Sequence, residues 1–137
     1  METICRSLTR GELMIVDYAY ESEDWQEGRF PEGSALGYRQ HQVVENLLAN
    51  PGEQDLTAHV NFTHLKMAGK KCGLETVLQI SQAAFLMELG EPDQFHDVFS
   101  DCVSDRERQQ RAQQLKTLIL PQGMGTIFQV LQFRKGM

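Results

Sequence analysis

Residues 11–17 read Gly-Glu-Leu-Met-Ile-Val-Asp, so Leu13, Met14, Ile15 and Val16 follow one another with no polar residue between them. A strand with one wet face alternates apolar and polar side chains. An unbroken apolar run closed off by glycine and by an acid instead suits a strand covered on both faces, as the central parallel strands of α/β proteins are. Such a strand needs sheet neighbours on both edges and helices above and below. Little sequence stands upstream to supply them, since residues 1–8 read as the end of a helix broken at Gly11. The expectation is a single unit, residues 1–137, that forms half of a larger fold.

Downstream, residues 21–36 (ESEDWQEGRFPEGSAL) are polar and acidic and carry Gly28, Pro31 and Gly33. They read as a long loop, a candidate active-site flap. From Arg39 to Ala49, Val43, Val44, Leu47 and Leu48 recur at one-turn spacing, which predicts an amphipathic helix stopped by Asn50-Pro51-Gly52. Asn61 is placed to cap a helix from Phe62 to Cys72, with Gly73 in the left-handed position after it and Leu74 as the apolar residue that follows. A strand is expected over Glu75–Ile80, then a short helix capped by Ser81 and ending at Gly90. Pro92 opens a further helix that carries Phe95, Val98, Phe99 and Cys102. Ser104 or Asp105 caps one from Arg106 to about Leu118, residues 121–125 form a turn, and Thr126–Arg134 is the last strand. The order is α/β, with few strands for its length.

A hydrophobic share of 41% and a charged share of 23% are ordinary for a globular domain and name no activity. The formal charge of −6 argues against a duplex nucleic-acid binder, which needs a basic face. No stretch approaches the roughly 20 apolar residues needed to cross a bilayer. The N-terminus lacks a signal-peptide core, and a cytoplasmic protein with no membrane partner is expected. Cys5, Cys72 and Cys102 are far apart and without ligand spacing, and His41, His59, His64 and His96 form no HExxH pattern, so no metal is expected.

Several segments carry a family resemblance: RGELMIVDY (Arg10 to Tyr18), LGYRQH (Leu36 to His41) and NPGEQDLTAHVNF (Asn50 to Phe62). To these are added Gln82 through Phe85-Leu86 to Leu89-Gly90, and Leu115 through Pro121 and Met124-Gly125 to Phe128-Gln129-Val130-Leu131. In order, they resemble the C-terminal part of the MidA-like S-adenosylmethionine-dependent methyltransferases, the family of the mitochondrial complex I assembly factor methyltransferase. The PG-x-x-DLTAHV-x-F segment is the most specific of them. The resemblance implies the C-terminal portion of a class I (Rossmann-like) methyltransferase fold with helical insertions, its first strand here being the fifth of seven and its last two strands the antiparallel end. In that topology ligands sit at the carboxyl ends of the parallel strands, which puts Asp17 and Tyr18 on the rim. It also implies an activity, methylation of an arginine on a protein partner, with S-adenosylmethionine as cofactor of the full-length relative. The G-x-G-x-G turn and the ribose-binding acid lie upstream in the family, and this sequence contains neither. No S-adenosylmethionine binding is therefore expected from this chain alone. Ala19 stands where the family commonly has Gly, and Asn61 where it commonly has Asp.

The cleft-binding candidates each have two readings, and no catalytic residue is assigned. Asp17 orients a substrate or caps nearby amides. Tyr18 and Tyr38 shape a pocket around a guanidinium or simply pack. Arg39 and His41 face the cleft or face solvent. Asp55, Thr57 and His59 alternate in DLTAHV, so an extended segment would put all three on one side, as a cleft edge or as a solvated strand face. Two functions follow: the substrate side of a protein arginine methyltransferase, or a non-catalytic module that pairs its free strand edge with a second copy or with the upstream half of the enzyme.

Overall fold

The computed structural model describes residues 1–40 and 42–136. The apolar run becomes the middle of β1 (Gly11–Tyr20), and strand alternation splits it: Leu13 and Ile15 point to one face, Met14 and Val16 to the other. β1 pairs antiparallel with β7 (Phe128–Lys135), from Gly11 opposite Lys135 to Tyr18 opposite Phe128. β7 pairs antiparallel with β6 (Glu75–Ser81), with an irregularity between Thr76 and Leu78. On its other edge β1 meets β5 (Val60–Asn61), which runs parallel to it at Ala19 and Tyr20. The sheet order is β5-β1-β7-β6, so the last two long strands do form an antiparallel end.

The core lies between this sheet and two helices, α1 (Glu2–Ser7) and α3 (Phe62–Lys71). Cys5 of α1, Phe62 of α3, Leu74, and Leu131 and Phe133 of β7 are buried together, with Leu13 and Ile15 packed against them. Gly69 makes the helix-to-sheet contact close. A Cβ there would stand 2.8 Å from the Phe133 ring.

The expectation that β1 is covered on both faces fails in an informative way. Met14 and Val16 are 47% and 45% exposed, and among the described residues no strand pairs with the edge of β1 opposite β7 before Ala19. Val130 of β7, opposite Val16 on the same face, is fully buried, so this face of the sheet is covered over β7 and left open over Met14 and Val16 of β1.

Local punctuation holds. Asn61 accepts a hydrogen bond from the His64 amide at 3.0 Å and caps α3. At the other end Gly73 has φ +77, and the amides of Gly73 and Leu74 donate to the carbonyls of Lys70 and Gly69. Ser81 accepts from the Ala84 amide to start α4 (Gln82–Gly90), and Ser104 from the Glu107 amide to start α6 (Asp105–Ile119). Residues 121–125 turn as expected, with the Met124 amide donating to the Thr117 carbonyl at 2.8 Å.

Three expectations are corrected. No helix forms over Arg39–Ala49; β2 (Leu36–Arg39), β3 (Gln42–Val44) and β4 (Asp55–Thr57) form a separate sheet in the order β3-β2-β4. Adjacent β-branched valines favour the strand, Gln40 adopts φ +50 in the connection, and Gly37 leaves room for Val44, whose Cγ2 would lie 2.6 Å from a Cβ there. The helical spacing was produced by a strand followed by a turn, and Leu48 ends 89% exposed. The large insertion after β1 is thus mainly a small sheet, and the helical insertion lies between β6 and β7. Within residues 21–36, α2 (Ser22–Gln26) is a short helix closed by a reciprocal capping box between Glu21 and Asp24. Finally, the helix expected from Pro92 is broken: a single 3₁₀ turn (Glu91–Asp93) is followed by Gln94 and Phe95 at φ +57 and +58, then by α5 (His96–Phe99). Phe95 leaves the helical path because its amide donates to the Gly90 carbonyl at 2.7 Å and its ring takes the space above Gly90.

Candidate functional site

β1 ends in Asp17-Tyr18-Ala19-Tyr20, and Glu21 turns the chain into α2. A cavity of 440 Å³ opens at this carboxyl end. Tyr20, Gln79 and Gln129 contribute from the sheet, Glu21 from the turn, and Asp24 and Arg29 from the inserted segment.

Glu21 is the centre of a polar network. Its carboxylate accepts from Lys66 Nζ at 2.8 Å, from the Thr63 hydroxyl and from the Gln79 amide, and Lys66 also donates to Gln79 Oε1 at 2.7 Å. Burial by itself would raise the Glu21 carboxyl, yet the three donated hydrogen bonds and the Lys66 charge outweigh it and hold the group below the ordinary glutamate range. A depressed folded-state pKa adds stability that is complete above the ordinary value of 4.5 and is lost as pH falls through and below it. Glu21→Gln is expected to flatten the acid limb of the stability curve, measured by urea unfolding between about pH 6 and pH 3. Parallel acid limbs in the two proteins would contradict this role.

Beside the network lies an aromatic cluster. His59 stacks on Phe30 at 5.0 Å between ring centroids and meets Tyr20 and Tyr18 edge-on at 4.7 and 5.8 Å. Phe30 contacts Tyr20 and Trp25, and Tyr18 lies against Phe128. The His59 amide donates to the buried Ser34 hydroxyl at 3.0 Å, which ties the two ends of the small sheet together at the tip of β1. Two buried nitrogens, His59 Nδ1 and Trp25 Nε1, have no hydrogen-bond partner among the described residues.

The residues singled out from the sequence divide into groups. Asp17 lies within β1, opposite Gln129, and its Oδ1 accepts from the next amide, Tyr18, at 2.8 Å. Tyr18 and His59 come together in the aromatic cluster. Tyr38 lies opposite both Asp55 and Val43, and Thr57 opposite Leu36, so Tyr38, Asp55 and Thr57 share one face of the small sheet. Arg39 points to the other face and pairs with Glu53 at 2.8 Å. His59 does not continue the row of Asp55 and Thr57, because β4 stops at Thr57. His41 lies outside the described residues. Sequence reasoning missed Glu21, Lys66 and Gln79, whose partners lie 13 to 58 residues apart. It also passed over a signal that was present, the aromatic residues Tyr18, Tyr20, Trp25 and Phe30 gathered along a segment otherwise rich in charge.

Residues 1–80 match the family described as "Putative S-adenosyl-L-methionine-dependent methyltransferase". The chain belongs to this MidA-like methyltransferase family. It is 32% identical over 127 residues to the mitochondrial protein arginine methyltransferase NDUFAF7 of Bos taurus, covering 91% of this chain and 26% of that protein. Two solved structures of a superfamily protein from Burkholderia thailandensis superpose with TM-scores of 0.83 and 0.81 at 29% identity. Each covers 97% of this chain, which spans 35% and 34% of theirs, and the second is bound to S-adenosyl-homocysteine. The methyltransferase fold is thereby shown, and the chain spans about a quarter to a third of the length of these relatives.

The cofactor of this methyltransferase family does not fit the residues at the cavity. A ribose is held through a carboxylate, and Glu21 here already accepts from Lys66, Thr63 and Gln79. No G-x-G-x-G turn exists in the sequence to approach the rest of the molecule.

Proposed function

We propose that this chain is the substrate-side region of an S-adenosylmethionine-dependent protein arginine methyltransferase: one unit that lacks the cofactor-binding half and is inactive alone. The observation that carries this reading is the position of the cavity, at the carboxyl end of β1 with the inserted segment along its side, where open α/β sheets place their ligands. That the bovine relative is a protein arginine methyltransferase supports arginine on a protein as the methyl acceptor. Asp17, Tyr18, Tyr38, Arg39, His41, Asp55, Thr57 and His59 are the proposed cleft residues; the described ones stand outside the lining of the cavity itself, with Tyr18 and His59 beside it in the aromatic cluster that includes Tyr20. The same reading takes the compartment to be the cytoplasm; among the described residues no helix is long and apolar enough to cross a membrane.

Calorimetric titration of the chain with S-adenosylmethionine tests the division of labour. The expected result is no measurable binding by the chain alone, and binding once an upstream half from a full-length relative is added. Saturable micromolar binding by the chain alone would overturn it.

A specific observation favours a second reading, a self-associating or partner-binding module. Among the described residues, the edge of β1 over residues 11–18 has no strand partner, and it lies beside exposed Met14 and Val16. This reading expects a dimer or larger by light scattering at micromolar concentration, and Val16→Lys to shift it toward monomer. A monomeric, cooperatively melting wild-type chain would remove it.

A further inference from the structure

Arg29 sits where a ligand of the cavity would. Its guanidinium carbon stands 4.3 Å from the centroid of the Tyr20 ring, and its Nη1 donates to Asp24 Oδ1 at 3.1 Å. All three residues line the cavity at the carboxyl end of β1. We propose that Tyr20 and Asp24 form a guanidinium-binding subsite, occupied in this structure by Arg29 of the same chain and taken over by an arginine side chain of the protein substrate. This rests on the arginine methyltransferase reading and names the part of the site that would recognise the acceptor.

The receptor side is rigid and the occupant is not. Tyr20 is held edge-on by Phe30 and by His59, so its face toward Arg29 is fixed. Asp24 is held through its second oxygen, which accepts from the Glu21 amide at 3.0 Å. Arg29, by contrast, is 55% exposed in its side chain and makes a single-point contact with the carboxylate. Exposed ion pairs of this kind hold weakly. Gly28 and Gly33, at φ +80 and +90 with open space around them, bracket the segment and let the Arg29 side chain swing out without disturbing the core. An aromatic face beside a carboxylate selects a guanidinium over an ammonium, because the planar group stacks on the ring while its edge donates to the acid. A mere loop latch would use the same contacts, but removing it would loosen α2 and create no binding site.

The test titrates N-acetyl-arginine amide into the full chain and into Arg29→Ala, following the fluorescence of Trp25, the single tryptophan, which lies 5.0 Å from Phe30. Binding to Arg29→Ala is expected to be about tenfold tighter than to wild type, with N-acetyl-lysine amide about tenfold weaker and Tyr20→Leu in the Arg29→Ala background abolishing the gain. Equal affinity of Arg29→Ala and wild type, or equal affinity for the two probes, overturns the subsite. Should Arg29→Ala fail to melt cooperatively, Arg29→Gln, which keeps part of the aliphatic stem over Tyr20, is held to the same criteria. The two levels separate cleanly. Probe binding without arginine methylation by the chain joined to an upstream half leaves the subsite and refutes the activity. Methylation with no effect of Arg29→Ala does the reverse.

Discussion

Phe133→Ala is expected to lower the unfolding free energy by about 3–5 kcal/mol, read as a fall in the urea midpoint at unchanged slope. Phe133 is 0% exposed at the centre of β7 and is among the four largest fully buried side chains, with Phe62, Leu131 and Val130. Its ring fills the space above Gly69, so truncation leaves a cavity bounded by helix backbone on one side and by a strand paired on both edges on the other. Neither wall can collapse readily. Domains are typically stable by about 5–15 kcal/mol, so the loss would consume much of the total. Leu48→Ala, at a side chain 89% exposed, provides the contrast and is expected to change stability by less than about 0.5 kcal/mol. A loss below about 1 kcal/mol for Phe133→Ala would mean that the sheet does not rest on this side chain.

Gly125→Ala is expected to cost about 1–3 kcal/mol by a different route, overpacking against backbone. A Cβ at residue 125 would stand 1.9 Å from the Ile119 carbonyl oxygen and 2.5 Å from its carbon. Neither atom belongs to a side chain that could rotate away. Relief requires moving the end of α6 or breaking the bonds that close the turn, in which the Gly125 amide donates to Leu120 and its carbonyl accepts from Ala83 at 2.9 Å. Thermal unfolding of the variant checks this, and an unchanged midpoint would show that the turn can relax freely. Because the same turn delivers Thr126 and Gln129 to the cavity, displacement should also be visible as a change in Trp25 emission.

Much of the fold was legible because the signals are local. Asn61, Ser81 and Ser104 cap helices through side chains that reach amides three residues ahead, and Gly73 ends α3 through its own backbone freedom. Errors arose where a local signal was ambiguous. Val43, Val44, Leu47 and Leu48 fit a helical repeat on paper, and the pairing of Tyr38 with Val43 and Asp55 decided for a sheet. Phe95 belonged to a helix by spacing and left it because Gly90 offered its ring a place. The site was less legible still. Tyr18 and His59 were named from the sequence, but their meeting across 41 positions depends on the insertion folding back to the tip of β1, as does that of Glu21 with Lys66 and Gln79.

The apolar run at Leu13–Val16 shows where the division falls. The sequence by itself determined that this segment is a strand, that its two faces are both apolar, and that the chain belongs with class I methyltransferase sheets, because these depend on residue type and order along the chain. Which face is covered was decided only in three dimensions: Leu13 and Ile15 pack against the core shared with α1 and α3, while Met14 and Val16 stay 47% and 45% exposed. Burial is a property of what packs against a side chain, and that partner is specified elsewhere in the polypeptide. The same holds for the cavity, whose carboxylates, amides, guanidinium and single aromatic ring come from four separate segments and acquire a shared chemistry only when the sheet and its insertion close on one another.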